Sequence, residues 1–292
     1  MAGQSRRVSL ALGGGGARGL AHIGAIQWLS ENGYTIDSIA GSSMGALVGG
    51  IYATGKLDVY ADWVLTLERL QVMRLLDLAF GRAGLFKLER IMGILRELIG
   101  DCAIEDLPIA FTAVATDLES GEEVWLRQGK LFDAIRASIA TPLIFTPCDY
   151  GSRTLLDGAL VNPVPVSAAR NDKADFTIAV SLSGPDEIRP SRSPGIASAR
   201  ARAYQQRIHA LMASLRRPRA PEIASRGMFN VALGSMEVMQ KTIARLNLAR
   251  NAPDVMIEIP GNACGFIEFW RAAELIALGR ERTARVLAAA RQ

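Results

Sequence analysis

Ser38-Ile39-Ala40-Gly41-Ser42-Ser43-Met44-Gly45-Ala46-Leu47-Val48 reads as a strand, a sharp turn and the start of a helix. Ser38–Gly41 has the apolar character of a buried strand, and a helical pattern covers Gly45–Thr54. Between them, Gly41-Ser42-Ser43-Met44-Gly45 has the form Gly-x-Ser-x-Gly. A turn of this kind exposes the central hydroxyl, and the flanking glycines let strand and helix pack without a clash. The helix N-terminus favours negative charge developing close to it. Ser43 is therefore the candidate nucleophile. Ser42 reads as a turn residue whose hydroxyl is bonded locally.

Upstream, the strand Val8–Leu12 runs into Gly13-Gly14-Gly15-Gly16-Ala17-Arg18-Gly19, and a helix follows over Ala17–Asn32. The first N–H groups of a helix have no partner within it. With the helix dipole they form a place for negative charge, which glycines leave open to close approach. Gly14-x-Gly16-x-x-Gly19 also fits a dinucleotide-binding fingerprint, which requires an acidic residue at the end of the second strand. That strand ends instead in the serine turn, and Asp37 stands at its opposite end. A plain tight turn is the third reading of the glycines.

Further apolar runs at Phe111–Ala115, Phe176–Leu182 and Val255–Ile259 read as buried strands. Helical patterns cover Val59–Phe80, Leu88–Ile99, Leu131–Ile139 and Phe266–Ala290. Strands alternating with helices predict an α/β protein with a three-layer arrangement: a central, mostly parallel sheet flanked by helices. We expect a single domain over residues 1–292, with a core at about 8–182, an Arg-rich helical segment at about 184–226, and a C-terminal strand and helix at about 227–292. The chain of 292 residues has 49% hydrophobic and 21% charged residues, as folded globular proteins do. No apolar run reaches the length of a membrane span. Ser5-Arg6-Arg7 precedes too short an apolar stretch for an export signal. Cys102, Cys148 and Cys264 fit neither a disulfide framework nor a metal site, so the expected location is cytoplasmic, with no cofactor and no metal.

The net charge of +4 hides an uneven spread. Arg189, Arg192, Arg200, Arg202, Arg207, Arg216, Arg217 and Arg219 lie between Glu187 and Glu222 with no acidic residue among them. Ile208, Leu211, Met212 and Leu215 give that stretch an amphipathic pattern. Peripheral contact with an anionic membrane through residues 189–219 and a solvated helix both fit. Nucleic acid is not expected there, because aromatic residues are sparse. Nothing in the sequence indicates an oligomeric state.

A serine nucleophile needs a base. The chain has two histidines, His22 on an apolar helix and His209 in the Arg-rich stretch, and neither makes a convincing triad member. A carboxylate is then the candidate, and Asp157 in Leu155-Leu156-Asp157-Gly158-Ala159 is the best placed, although an Asp-Gly pair is also an ordinary turn.

The ordered set Gly14-x-Gly16-Ala17-Arg18-Gly19, Gly41-x-Ser43-x-Gly45 and Asp157-Gly158-Ala159 resembles the patatin-like phospholipase family. Ala113–Leu118, Arg136–Pro142 and Asn162–Pro165 are similar to it too. The likeness covers about residues 8–182. It implies an α/β fold and a Ser–Asp dyad of Ser43 and Asp157. It also implies an oxyanion hole at Gly14, Gly15 and Gly16, and hydrolysis of lipid acyl esters. Leu143 departs from the small residue expected after Pro142, which bears on pocket shape. Arg18 reads as steadying the loop or meeting a substrate phosphate, and the helix around Trp63–Leu76 as lining an acyl channel or as ordinary packing. A nucleotide-binding oxidoreductase and a non-catalytic regulatory protein on the same fold are the rival readings.

Overall fold

A computed structural model describes residues 6–76, 86–171, 173–187 and 227–289. The chain divides into two compact units: Met1–Asp186 with Met236–Gln292, and Glu187–Ser235. Of the second unit only Glu187 and residues 227–235, which begin a helix, are described; the arginines at 189–219 and His209 lie outside the described residues.

The first unit is built on an eight-stranded sheet. Five strands form its parallel part, in the order β3 (Ala110–Asp117), β2 (Tyr34–Ser42), β1 (Arg6–Leu12), β7 (Phe176–Gly184) and β8 (Val255–Pro260). These are the five runs read from the sequence. Three short strands add an antiparallel part: β4 (Glu123–Leu126) and β6 (Arg153–Asp157) pair with β3, and β5 (Cys148–Tyr150) pairs with β6. They escape a search for apolar runs because each has five residues or fewer and carries charge.

Side-chain alternation divides the sheet faces unequally. On one face Leu10, Leu12, Ile39, Ile178 and Val180 meet the large core formed with α1 (Ala21–Glu31), α2 (Met44–Ala53) and α9 (Ala272–Ala289). The other face offers mainly Ala11, Ala40 and Ala179, covered by Val164 and the four-residue α7 (Val166–Ala169). Small residues suit the second face because it is covered so closely. On the first face α1 and α9 cross at glycines: a Cβ on Gly24 would overlap the Ile276 carbonyl, and one on Gly279 the Ala21 carbonyl.

The helix expected over Val59–Phe80 is two helices, α3 (Leu57–Leu65) and α4 (Arg69–Leu75), with residues 77–80 outside the described residues. The break is local chemistry. Glu68 is extended and caps α4, its N–H donating to the Gln71 side chain at 2.7 Å. α5 (Glu89–Ile99) and α6 (Leu131–Ser138) fall where expected. The Ala17–Asn32 helix opens as a 3-10 turn over Gly16–Leu20, and the helix expected from Phe266 begins at Ala272. α8 (Met228–Arg250) had no clear signal: Val238, Met239 and Leu246 are exposed while Met236 and Ala244 are buried, so no single stripe marks it. Among the described residues, no helix is long and apolar enough to cross a membrane.

The position of the site follows from β3. At Ala115 and Thr116 this strand pairs with β4 and β6 at once, so those two lie on opposite edges. At Ala113 and Val114 it pairs with β4 and β2. β2 and β6 therefore share one edge and meet end to end. Ser42 stands opposite Val114, and Asp157 opposite the next residue, Ala115. One strand's register brings the end of the serine strand to the end of the aspartate strand.

Candidate active site

Ser43 follows β2 directly and has φ 55° and ψ −124°, a conformation that L residues rarely adopt. Surrounding contacts hold it there. A Cβ on Gly41 would overlap the Gly45 backbone, and one on Gly45 would overlap the Leu12 carbonyl, so both glycines of the turn are required by space. The Ser43 N–H donates to Ser138 Oγ at 3.0 Å, and that hydroxyl donates to the Val114 carbonyl at 2.6 Å. Ser42 is not bonded locally: its hydroxyl donates to the Asn162 carbonyl at 2.6 Å, tying the turn to the Asn162–Pro165 loop.

Ser43 Oγ donates to Asp157 Oδ2 at 2.8 Å. Both residues are buried. Asp157 Oδ2 also accepts from Thr141 Oγ1 at 2.5 Å, and Oδ1 accepts from the Ala159 N–H at 2.9 Å. Burial pushes the Asp157 carboxyl above its ordinary value, and the three hydrogen bonds offset part of that rise. Gly158 is needed next to it because a Cβ there would overlap the Val114 carbonyl. Thr141 and Ser138 were visible in the sequence only as members of a familiar block; their contacts arise from separate elements, which spacing does not show.

The glycine loop faces this pair. A Cβ on Gly14 would lie 2.7 Å from the Ala159 Cβ and 3.1 Å from the Ser43 Cβ, so only a bare Cα fits. The Gly13 N–H donates to the Val180 carbonyl at 2.9 Å, Gly14 N–H to Pro163 at 3.0 Å and Ala17 N–H to Phe266 at 2.8 Å. Among the described residues the N–H groups of Gly15 and Gly16 have no partner. The three-glycine donor set expected from the sequence thus narrows to two, because the Gly14 N–H is already engaged.

Arg18 is buried and turned into the protein. Its Nε donates to the Gly15 carbonyl at 3.1 Å, and its Nη1 reaches Glu237 at 2.6 Å and also the Gly261 carbonyl. These contacts favour loop support over a phosphate contact. Gly19 packs where a Cβ would overlap Met44. His22 is fully buried, and its Nε2 lies 2.8 Å from the Gly13 carbonyl. Burial lowers its pKa to about 4, so the ring is neutral at pH 7.

Ser43 and Thr141 border a cavity of about 820 Å³, counted with the open space at its mouth. Its walls are almost wholly apolar and come from α2, the α3–α5 region and the Phe266–Phe269 segment, including Leu47, Trp63, Leu75, Leu95 and Phe269. Trp63, Leu67, Leu75 and Leu76, read from the sequence as channel or packing, line it. Among the described residues, no acidic side chain stands at the end of β2, where a dinucleotide fingerprint needs one. Asp37 lies in the first half of β2, where its carboxylate pairs with Arg7 at 2.7 Å. Among the described residues, no group of three or more His, Cys, Asp or Glu is placed to hold a metal ion.

Comparison with known proteins places these residues in context. The sequence matches the patatin-like phospholipase family over residues 10–170. An uncharacterized NTE family protein of Mycobacterium tuberculosis is 40% identical over 333 residues, spanning 98% of this chain and 92% of its own. A patatin-like phospholipase domain-containing protein of Caenorhabditis elegans is 35% identical over 187 residues, 62% of this chain and 14% of its own. Among solved structures, VipD from Legionella pneumophila aligns with a TM-score of 0.47 at 15% identity, over 98% of this chain and 67% of its own.

Proposed function

The chain belongs to the patatin-like phospholipase family, and on that premise we propose that it hydrolyses lipid acyl esters through a Ser43–Asp157 dyad. One observation carries this reading: the 2.8 Å hydrogen bond from Ser43 Oγ to Asp157 Oδ2 lies at the head of an apolar cavity. Asp157 takes the Ser43 proton as Oγ attacks the ester carbonyl. The Gly15 and Gly16 N–H groups meet the oxyanion of the tetrahedral intermediate. Loss of one such donor costs about 10²–10³ in rate in other hydrolases. Collapse of the intermediate returns the proton from Asp157 to the leaving alkoxide and leaves an acyl-Ser43 ester. Water, deprotonated by Asp157, then cleaves that ester.

The apolar walls suit an acyl tail, and among the described residues no Lys or Arg lines the cavity. A fluorophosphonate probe is expected to label Ser43. Turnover of p-nitrophenyl esters is expected to rise from acetyl toward longer acyl chains. Labelling at another residue, or rates indifferent to chain length, would count against the reading.

The raised pKa of Asp157 has a direction that can be tested. The base must be ionised to act, so the acid limb of kcat/KM is expected above the ordinary carboxylate value. The fold favours its protonated form, so this group's contribution to stability is present below its unfolded pKa and is lost as pH rises through the folded one. A limb at or below the ordinary aspartate value would show that another group is the base.

A further inference from the structure

The mechanism leaves unused a fully buried histidine directly beneath the glycine loop. We propose that His22 is a positioning residue that clamps the Gly13–Gly14 peptide and thereby aims the loop's free N–H groups at the reacting carbonyl. The proposal rests on the hydrolase reading above.

Gly13 to Gly16 have no side chains with which to pack. Their backbone is intrinsically free, so its order must come from tethers to other elements. The Gly13–Gly14 peptide is held at both ends. Its carbonyl accepts from His22 Nε2 on α1 at 2.8 Å, and its N–H donates to the Pro163 carbonyl at 3.0 Å. A carbonyl can only accept, so Nε2 carries the proton and Nδ1 carries none. Among the described residues the buried Nδ1 has no partner, and the Gly13 carbonyl is the imidazole's one hydrogen bond. The next residue, Gly14, sits where a Cβ would crowd both Ser43 and Ala159, and it leads into the free Gly15 N–H. With the peptide clamped, rotation at Gly14 sets where that N–H points, while Arg18 holds the following peptide through the Gly15 carbonyl. If His22 lets go, the peptide can tilt and the donor moves off its mark. Misplacement by about 1 Å is enough to cost roughly 10²-fold in rate.

Glutamine separates the two roles of this side chain. Its amide nitrogen extends about as far as Nε2 and can donate to Gly13, whereas leucine fills the space without donating and asparagine is polar but too short. Two readouts are compared in the full-length protein. One is kcat and KM for a soluble ester; the other is hydrogen exchange at the Gly13–Ala17 amides, which requires no turnover. His22→Leu is expected to lower kcat about 10- to 100-fold with KM within about twofold. It should also speed exchange in the loop while the rest of the sheet is unchanged. His22→Gln should return most of both. If His22→Leu fails to fold, His22→Asn takes its place against His22→Gln. Loop exchange unchanged in the non-donating variant, or a glutamine variant as impaired as the leucine one, would overturn the clamp. Wild-type protein that turns over no ester while its loop responds to these substitutions would instead strike the hydrolase reading.

Discussion

Ser43→Ala is expected to lose ester hydrolysis by about 10⁴-fold or more in kcat while remaining folded. The hydroxyl that it removes is the proposed nucleophile, and alanine creates no overlap there. Asp157→Asn should fall on a similar scale for a different reason. The amide keeps the size of the carboxyl but cannot take the Ser43 proton, and its NH₂ competes with the donors Ser43 and Thr141 that now meet Oδ2. The two residues act as a unit, so the double variant should be little worse than either single one. The signs differ for stability. Burial penalises the Asp157 charge, so Asp157→Asn should unfold at the same temperature as wild type or higher at pH 8. Rates and melting curves for the three variants test this together. Either single variant keeping roughly a tenth of wild-type activity would remove its residue from the chemistry.

The largest effect on stability is expected at the crossing of α1 and α9. In an exposed helix, replacing glycine by alanine gains about 0.5–1 kcal/mol, because alanine has less backbone freedom to lose. Gly93 in α5 is such a position: it is exposed, with nothing within 4 Å of an added Cβ. Gly93→Ala should therefore raise the melting temperature. Gly24→Ala makes the same chemical change with the opposite outcome. Its Cβ would overlap the Ile276 backbone, which cannot move without parting the two helices. Overpacking of this kind costs about 1–3 kcal/mol, and backbone against backbone belongs at the upper end. That outweighs the helical gain, so the melting temperature should drop by several degrees. Thermal unfolding of the pair gives the answer, and equal shifts for both would refute the close-crossing explanation.

The five parallel strands could be read from the sequence because buried strands are continuous apolar runs. Ser43 stood out because its turn needs glycine on both sides, and glycines are visible. Asp157 was harder. Its strand is short, and what brings it to Ser43 is a pairing with β3 that neither spacing nor hydropathy reports. The donor count was harder still. Four adjacent glycines look equivalent in sequence, yet Gly14 donates to Pro163, 149 positions away in the chain, while Gly15 and Gly16 remain free. The split of the expected Val59–Phe80 helix turned on one capping pair, Glu68 with Gln71, inside a stretch whose apolar spacing continued across it.

The end-to-end meeting of β2 and β6 along β3 separates two properties that enzymes often entangle. The distance between Ser43 and Asp157 is set by strand register. Many of the cavity walls come from residues 57–95, inserted between β2 and β3, which no dyad hydrogen bond uses. The described side chains of that insertion can therefore be exchanged by design without touching the hydrogen bonds that join Ser43, Asp157 and Thr141. On the proposed reading, the shape of the cavity is thus free to change while the dyad geometry stays the same.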